Sequence, residues 1–156
     1  MKISYNEDSR VFKLDTERTS YCIGIVDDDN FVGHIYYGRK LTEDNLAYLM
    51  RTMEAPFVPS QNNRDRTSFL DTFPMEYTGN GLGDYREGTL EVRTADGHTG
   101  VALSYVSHRI YDGKEELEGL PATFGQDTEC RTLELVCEDK ILKLQVILSY
   151  SIFADS

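Results

Sequence analysis

The sequence predicts an all-β fold, an antiparallel β-sandwich with one short α-helix. Apolar and polar residues alternate with a period of two in both halves of the chain, and turn-forming residues separate the alternating runs. Only one segment, near residues 43–53, spaces its apolar residues as a helix does. With 156 residues the chain fits one domain, 1–156, large enough to bury roughly 70% of the surface its unfolded form exposes.

The first expected strand sets Phe12 and Leu14 against Lys13 and Asp15, and the second sets Tyr21, Ile23 and Ile25 against Cys22 and Gly24. "FVGHIYYG" (31–38), rich in aromatic and β-branched residues, is the third, joined to the second by the hairpin connection "VDDDN". A helix of about three turns is expected in "LTEDNLAYLMRTM": Thr42 caps it, Glu43 and Asp44 suit its first turn, and Leu46, Leu49, Met50 and Met53 form one stripe. Two prolines and a polar cluster in "EAPFVPSQNNRDRT" then predict a long loop.

In the second half "GTLEVRT" leads to a turn at Asp96-Gly97 and a strand through Val101, Leu103 and Tyr105. Beyond Tyr105 the apolar positions change parity to Val106, His108 and Ile110, which predicts a bulge that swaps faces. A final hairpin alternates Leu133, Leu135 and Cys137, then Leu142, Leu144, Val146, Leu148 and Tyr150, around "EDK". The strongly apolar last strand offers an edge for a partner, and the chain is expected to be cut from something larger.

Composition narrows the function. Sixteen Lys and Arg against 27 Asp and Glu give a formal net charge of −11, which repels phosphate backbones, so no nucleic acid partner is expected. The acidic clusters "VDDDN" and "GKEELEG" read as solvated loop surface. Neither an export signal nor a run of about 18 apolar residues is present, so a cytoplasmic protein without membrane contact is expected. Cys22, Cys130 and Cys137 are odd in number and lack the CxxC spacing, and His34, His98 and His108 have no paired spacing, which argues against disulfides and a metal site. No GxSxG, Walker or GxGxxG stretch occurs, and no cofactor is expected.

Chemistry concentrates in "RDRTSFLDTFPMEYTGNG" (64–81) and its surroundings. Asp65, Asp71, Glu76 and Asp84 are carboxylates of the kind that perform acid/base or glycosidic work when a pair stands about 5–10 Å apart. Against that stand local roles: Asp71 as a turn cap beside Pro74, and ion pairs with Arg64 or Arg66.

"DRTSFLDTFPMEYTGNGLGDYR" (65–86) and "YVSHRIYDGKEELEGLPATF" (105–124) resemble the N-terminal region of bacterial α-galactosidases of glycoside hydrolase family 36. The likeness extends to "RVFKLDTERTSYCIGI", "VGHIYYGRKL" and "TLELVCEDKILKLQVILSYSIF", nearly the whole chain. It implies a β-supersandwich, of which this chain is roughly the first half. A (β/α)8 barrel is then expected downstream, carrying the two catalytic aspartates of a retaining mechanism, so the segment itself is not catalytic. In tetrameric members, loops of this domain reach the sugar site of a neighbouring subunit, where an Arg and an acidic residue contact the substrate. On that pattern Arg66, the Arg of "DRT", and Glu54 in "MEAPF" are the substrate-binding residues, and a guanidinium fork and a carboxylate suit vicinal hydroxyls. The family often has Trp where Tyr37 stands and Phe where Tyr85 stands. "HRIYDGKEELEGLPAT" reads as a structural crossover.

The resemblance makes the chain the N-terminal segment of a homotetrameric α-galactosidase acting on oligosaccharides such as melibiose or raffinose. The alternative is a free-standing sugar-binding or interaction module; zero Trp weighs against a lectin platform, although ten Tyr offer stacking surface. A small stand-alone hydrolase using Asp71 and Glu76 ranks last.

Overall fold

The computed structural model describes residues 1–43, 45–50, 73–79, 86–119, 123, 125 and 128–155. Among these residues seven strands form two antiparallel sheets, as the alternation predicts. The first sheet is a meander of β1 (Lys2–Asn6), β2 (Val11–Asp15), β3 (Thr19–Val26) and β4 (Phe31–Arg39), side by side in chain order. The second is β5 (Ser104–Asp112), β6 (Cys130–Asp139) and β7 (Leu144–Phe153). Ile3, Phe12, Leu14, Ile23, Ile25 and Val32 of the first sheet pack against Leu133, Leu135, Cys137 and Ile152 of the second, making one core between the two faces. At one end of it Phe12 stacks on Tyr5 with ring centres 4.3 Å apart and meets His108 edge-on at 4.8 Å.

β1 was not among the expected strands, although Ile3 and Tyr5 alternate with Lys2, Ser4 and Asn6; it pairs with β2 from Lys2↔Asp15 to Asn6↔Val11. Residues 27–30 are the expected turn, and Asp27 and Asn30 adopt positive φ there. Arg10 donates to the Asp27 carbonyl at 2.8 Å and to the Asn30 amide oxygen, and the Tyr105 N–H donates to the Asn30 carbonyl at 2.9 Å. The turn therefore joins the two sheets, and Asp29 within it is buried rather than solvated.

β2 departs from the half-buried strand its alternation predicts, because both of its faces are covered. Val11 and Cys22 pack with Leu46, Leu41, Leu49 and Met50 of the segment after β4. Lys13 and Asp15 lie under that cover, 4% and 7% exposed, and survive there as a pair 3.3 Å apart. Lys13 also donates to the Leu41 carbonyl at 2.6 Å, and Asp15 accepts from Ser20, whose hydroxyl accepts from the Leu41 N–H. Buried charges persist when their remaining donors and acceptors are satisfied in this way.

The predicted helix is corrected as far as it is described. A single 3-10 turn, Ala47–Leu49, replaces it, with Leu49 and Met50 N–H groups bonding three residues back to Leu46 and Ala47. Thr42 caps nothing there; Asn45 accepts from the Ala47 N–H instead, and Leu46 holds φ −108°, outside the helical region. The Leu and Met stripe is real, but it marks a buried side rather than a helical backbone.

"GTLEVRT" likewise forms no ladder among the described residues. Its turn does close, but the central pair is Ala95-Asp96: Gly97 N–H donates to the Thr94 carbonyl and Thr94 N–H to the His98 carbonyl. Gly97 follows at φ +86°, the pattern of a type I turn with a glycine bulge. The predicted face swap in β5 is present, with the register shifting between Tyr105 and Ser107 and Val106 left half exposed. Asp139 closes the β6–β7 hairpin by accepting from the Ile141 and Leu142 N–H groups, and it accepts a third bond from Ala102. Gly113 and Gly119 take positive φ in the crossover after β5, and the Gly113 carbonyl accepts from Thr132 at 2.6 Å.

Candidate functional site

Arg66 and Glu54 lie outside the described residues, as does Asp71. What is described is how the chain enters and leaves the segment 51–72 that carries them. Gly24 of β3 and Gly33 of β4 are register partners, so one rung of the first sheet has no side chains on its outer face. Met50 sits over Gly24 and Phe73 over Gly33: a Cβ on Gly24 would fall 2.5 Å from the Met50 sulfur, and one on Gly33 would fall 2.3 Å from the Phe73 ring. Both residues belong to one apolar cluster with Val26, Phe31, Ile35 and Met75. The two ends of the segment thus meet on a single glycine socket.

Downstream of the socket the chain runs along β4, the sheet edge. His34 N–H donates to the Pro74 carbonyl at 2.7 Å, Glu76 N–H donates to the Val32 carbonyl at 3.0 Å, and Gly33 bridges to Met75. Arg86 secures the turn by donating to the Phe73 carbonyl at 2.7 Å. These bonds occupy part of the edge that β4 presents.

The same run delivers Glu76 into the seam between the sheets, where its side chain is 5% exposed. Tyr21 of β3 donates to both carboxylate oxygens, at 2.7 and 2.8 Å, and Tyr150 of β7 donates to the second at 2.8 Å. His34 Nδ1 lies 3.0 Å from the first. Burial, then the hydrogen bond and charge of Glu76, push the Tyr21 phenol well above its ordinary value; burial and Glu76 do the same to Tyr150. Both phenols therefore stay protonated donors. The carboxylate, ringed by these partners, reads as a tie between two sheets rather than half of a catalytic pair. None of Tyr21, His34 and Tyr150 is flagged by any motif, since Tyr21 and Tyr150 are brought to Glu76 from 55 and 74 residues away.

Two cavities open on the described surface. One of about 190 Å³ opens beside Tyr21, Tyr37 and Tyr150. The other, of about 500 Å³, lies between residues 98–104 and 138–142, above Asp139. Burial pushes the Asp139 carboxyl up, but the backbone N–H bonds from Ala102, Leu142 and Ile141 outweigh it and hold it below the usual carboxylate range. That group is committed to holding two loops together. No helix among the described residues is long and apolar enough to cross a membrane.

Comparison with known proteins gives a consistent result. Residues 30–156 match the family model described as the glycosyl hydrolase family 36 N-terminal domain. The chain is 33% identical to α-galactosidase AgaA of Geobacillus stearothermophilus over 98% of its own length and 21% of the relative's. It is 34% identical to the bifunctional α-galactosidase/sucrose kinase AgaSK of Mediterraneibacter gnavus over 100% of its length and 17% of that protein's. The galactosidase domain of an AgaSK superposes with a TM-score of 0.89 at 32% identity, over 99% of this chain and 21% of that one. A G. stearothermophilus AgaA variant crystallised with raffinose superposes with a TM-score of 0.82 at 33% identity, over 92% of this chain and 20% of that one. The chain thus spans about a fifth of the length of the relatives it matches.

Proposed function

Because the chain belongs to the N-terminal domain family of the family 36 glycosyl hydrolases, we propose that it is the non-catalytic N-terminal segment of a cytoplasmic α-galactosidase. That enzyme removes terminal α-galactosyl groups from oligosaccharides, and a (β/α)8 barrel following this segment performs the chemistry. The segment contributes to folding, to assembly of a homotetramer, and to the wall of the sugar site in a neighbouring subunit, where Arg66 and Glu54 hold substrate hydroxyls.

The observation that supports this reading most directly is the glycine socket. Met50 and Phe73 bring both ends of the segment 51–72 to one buried rung, and Glu76 fixes the outgoing end to both sheets. A passage that carries Arg66 and Glu54 is thereby fastened at both of its ends, and well-fastened loops are where binding residues concentrate. The raffinose complex of a relative with the same domain fits the assigned substrate class.

The test is Arg66→Ala in the longer enzyme. Loss of charge-assisted hydrogen bonds that contribute about 1.5–3 kcal/mol lowers kcat/KM roughly ten- to hundredfold with little change in melting temperature. Unchanged kinetics in an intact oligomer removes Arg66 from the site. Glu54→Gln weakens substrate binding alone if the carboxylate touches sugar. The 156-residue chain by itself leaves an aryl α-galactoside unhydrolysed, and turnover that survives purification overturns the assignment of catalysis to the barrel.

A further inference from the structure

The cavity of about 190 Å³ at the seam of the two sheets has an unusual lining. Six of its eight described lining residues carry a hydroxyl group: Thr16, Thr19, Tyr21, Tyr37, Tyr150 and Ser151. The other two, Leu14 and Ile152, are core residues that close its apolar floor. No described lining residue is charged, so among these residues nothing neutralises a phosphate, a carboxylate or a cation. Its chemistry suits a neutral ligand with an apolar face and a hydroxyl-bearing edge.

The aromatic members form a wall. Tyr21 stands between Tyr37 and Tyr150, with ring centres 5.9 and 6.1 Å away. Tyr37 is two-thirds exposed, a large amphipathic ring presented to solvent beside an opening. The hydroxyl directions are set from behind. Since Tyr21 and Tyr150 both commit their phenol protons to Glu76, each oxygen can only accept from the cavity side. Thr16 Oγ1 already accepts from the Arg18 and Thr19 N–H groups and bonds Thr19 Oγ1 at 2.8 Å, so its capacity is used, whereas Thr19 and Ser151, the latter bonded to Thr132 at 2.9 Å, are held in place with bonding capacity left over.

We propose that this tyrosine-walled cavity is a second carbohydrate site that takes one neutral pyranose unit, its C–H face on Tyr37 and its hydroxyls donating to Tyr21 and Tyr150. The site contains neither Arg66 nor Glu54 and does not depend on the sugar contact assigned to them. With a ligand of about a dozen heavy atoms, its affinity is millimolar, enough to retain an oligosaccharide chain near the protein but not to hold it alone.

Titration of the isotope-labelled 156-residue chain with methyl α-D-galactopyranoside, followed by amide NMR up to about 100 mM sugar, tests the site. Shifts concentrate on Thr16 to Tyr21, Tyr37 and Tyr150 to Ile152, and saturate with a millimolar dissociation constant. Tyr37→Ala, an exposed position whose loss leaves the fold intact, weakens binding tenfold or more, and Thr19→Val weakens it less. Arg66→Ala leaves the titration unchanged, whatever it does to catalysis. Galacturonate, which adds a charge the cavity cannot match, binds less well. No saturating shifts, or shifts unaltered by Tyr37→Ala, or tighter binding of the anion would each overturn the proposal.

Discussion

Tyr150 Oη donates to Glu76 Oε2 across 2.8 Å, and with that bond the last strand of the second sheet holds the chain leaving the segment 51–72. Tyr21 makes the matching bond from the first sheet. One carboxylate is thus the shared acceptor of both layers of the sandwich.

Removing it costs more than removing any single donor. Glu76→Gln keeps the shape but replaces a charged acceptor of several bonds by a neutral amide, and lowers stability by about 2 kcal/mol. Tyr150→Phe deletes one bond and lowers it by about 1 kcal/mol. Urea unfolding of the two variants checks the order; equal midpoints would show that the cluster is not a tie.

Stability falls on the alkaline side. An ordinary tyrosine loses its proton near pH 10.0, whereas Tyr21 and Tyr150 hold theirs to higher pH in the fold. Above pH 10 the unfolded chain therefore binds fewer protons than the native one, and stability drops as pH rises from there. Tyr21→Phe with Tyr150→Phe flattens the decline. Unfolding midpoints at pH 8, 10 and 11 measure the slope, and an unaltered slope in the double variant would place its source elsewhere.

The two socket glycines respond differently to a methyl group. At Gly33 the new carbon meets Phe73 at 2.3 and 2.9 Å and Val26 at 3.0 Å, and an aromatic ring cannot bend away, so Gly33→Ala costs about 1–3 kcal/mol. At Gly24 the first obstacle is the flexible thioether of Met50, and Gly24→Ala costs less than about 1 kcal/mol. A reversed order in denaturation midpoints would rule out seating of Phe73 on β4.

None of the three thiols reacts readily in the native chain. Cys22, Cys130 and Cys137 are buried, and burial pushes the Cys137 thiol up to about 11. A disulfide reagent at pH 8 labels no cysteine quickly in the folded protein and all three after urea. Rapid native labelling of Cys137 would show that the core between the sheets opens easily, and of Cys22 that the cover after β4 does.

Sequence patterns carried the sandwich well where side-chain order and hydrogen bonding are both local. The turn at residues 27–30, the shift after Tyr105 and the β6–β7 hairpin each follow from neighbours in the chain. Alternation misled where a second layer intervened: Lys13 and Asp15 read as a solvent face, yet the segment after β4 folds over them. It misled again at Leu90 and Val92, which keep their parity but have no partner strand among the described residues to complete a ladder. The helical stripe at Leu46, Leu49 and Met50 recorded burial correctly while Asn45 diverted the backbone into a 3-10 turn. Glu76 was legible as a carboxylate near the loop but not as a tie, because its partners come from three strands that no short window contains.

The rung formed by Gly24 and Gly33 gives the passage between Met50 and Phe73 two fixed posts on adjacent strands. With the posts fixed, lengthening the passage adds a closure entropy of only about 0.6 kcal/mol for each doubling in length. A change of length there is therefore cheaper for the fold than one within a described strand, whereas a change at Arg66 or Glu54 strikes the proposed sugar contact.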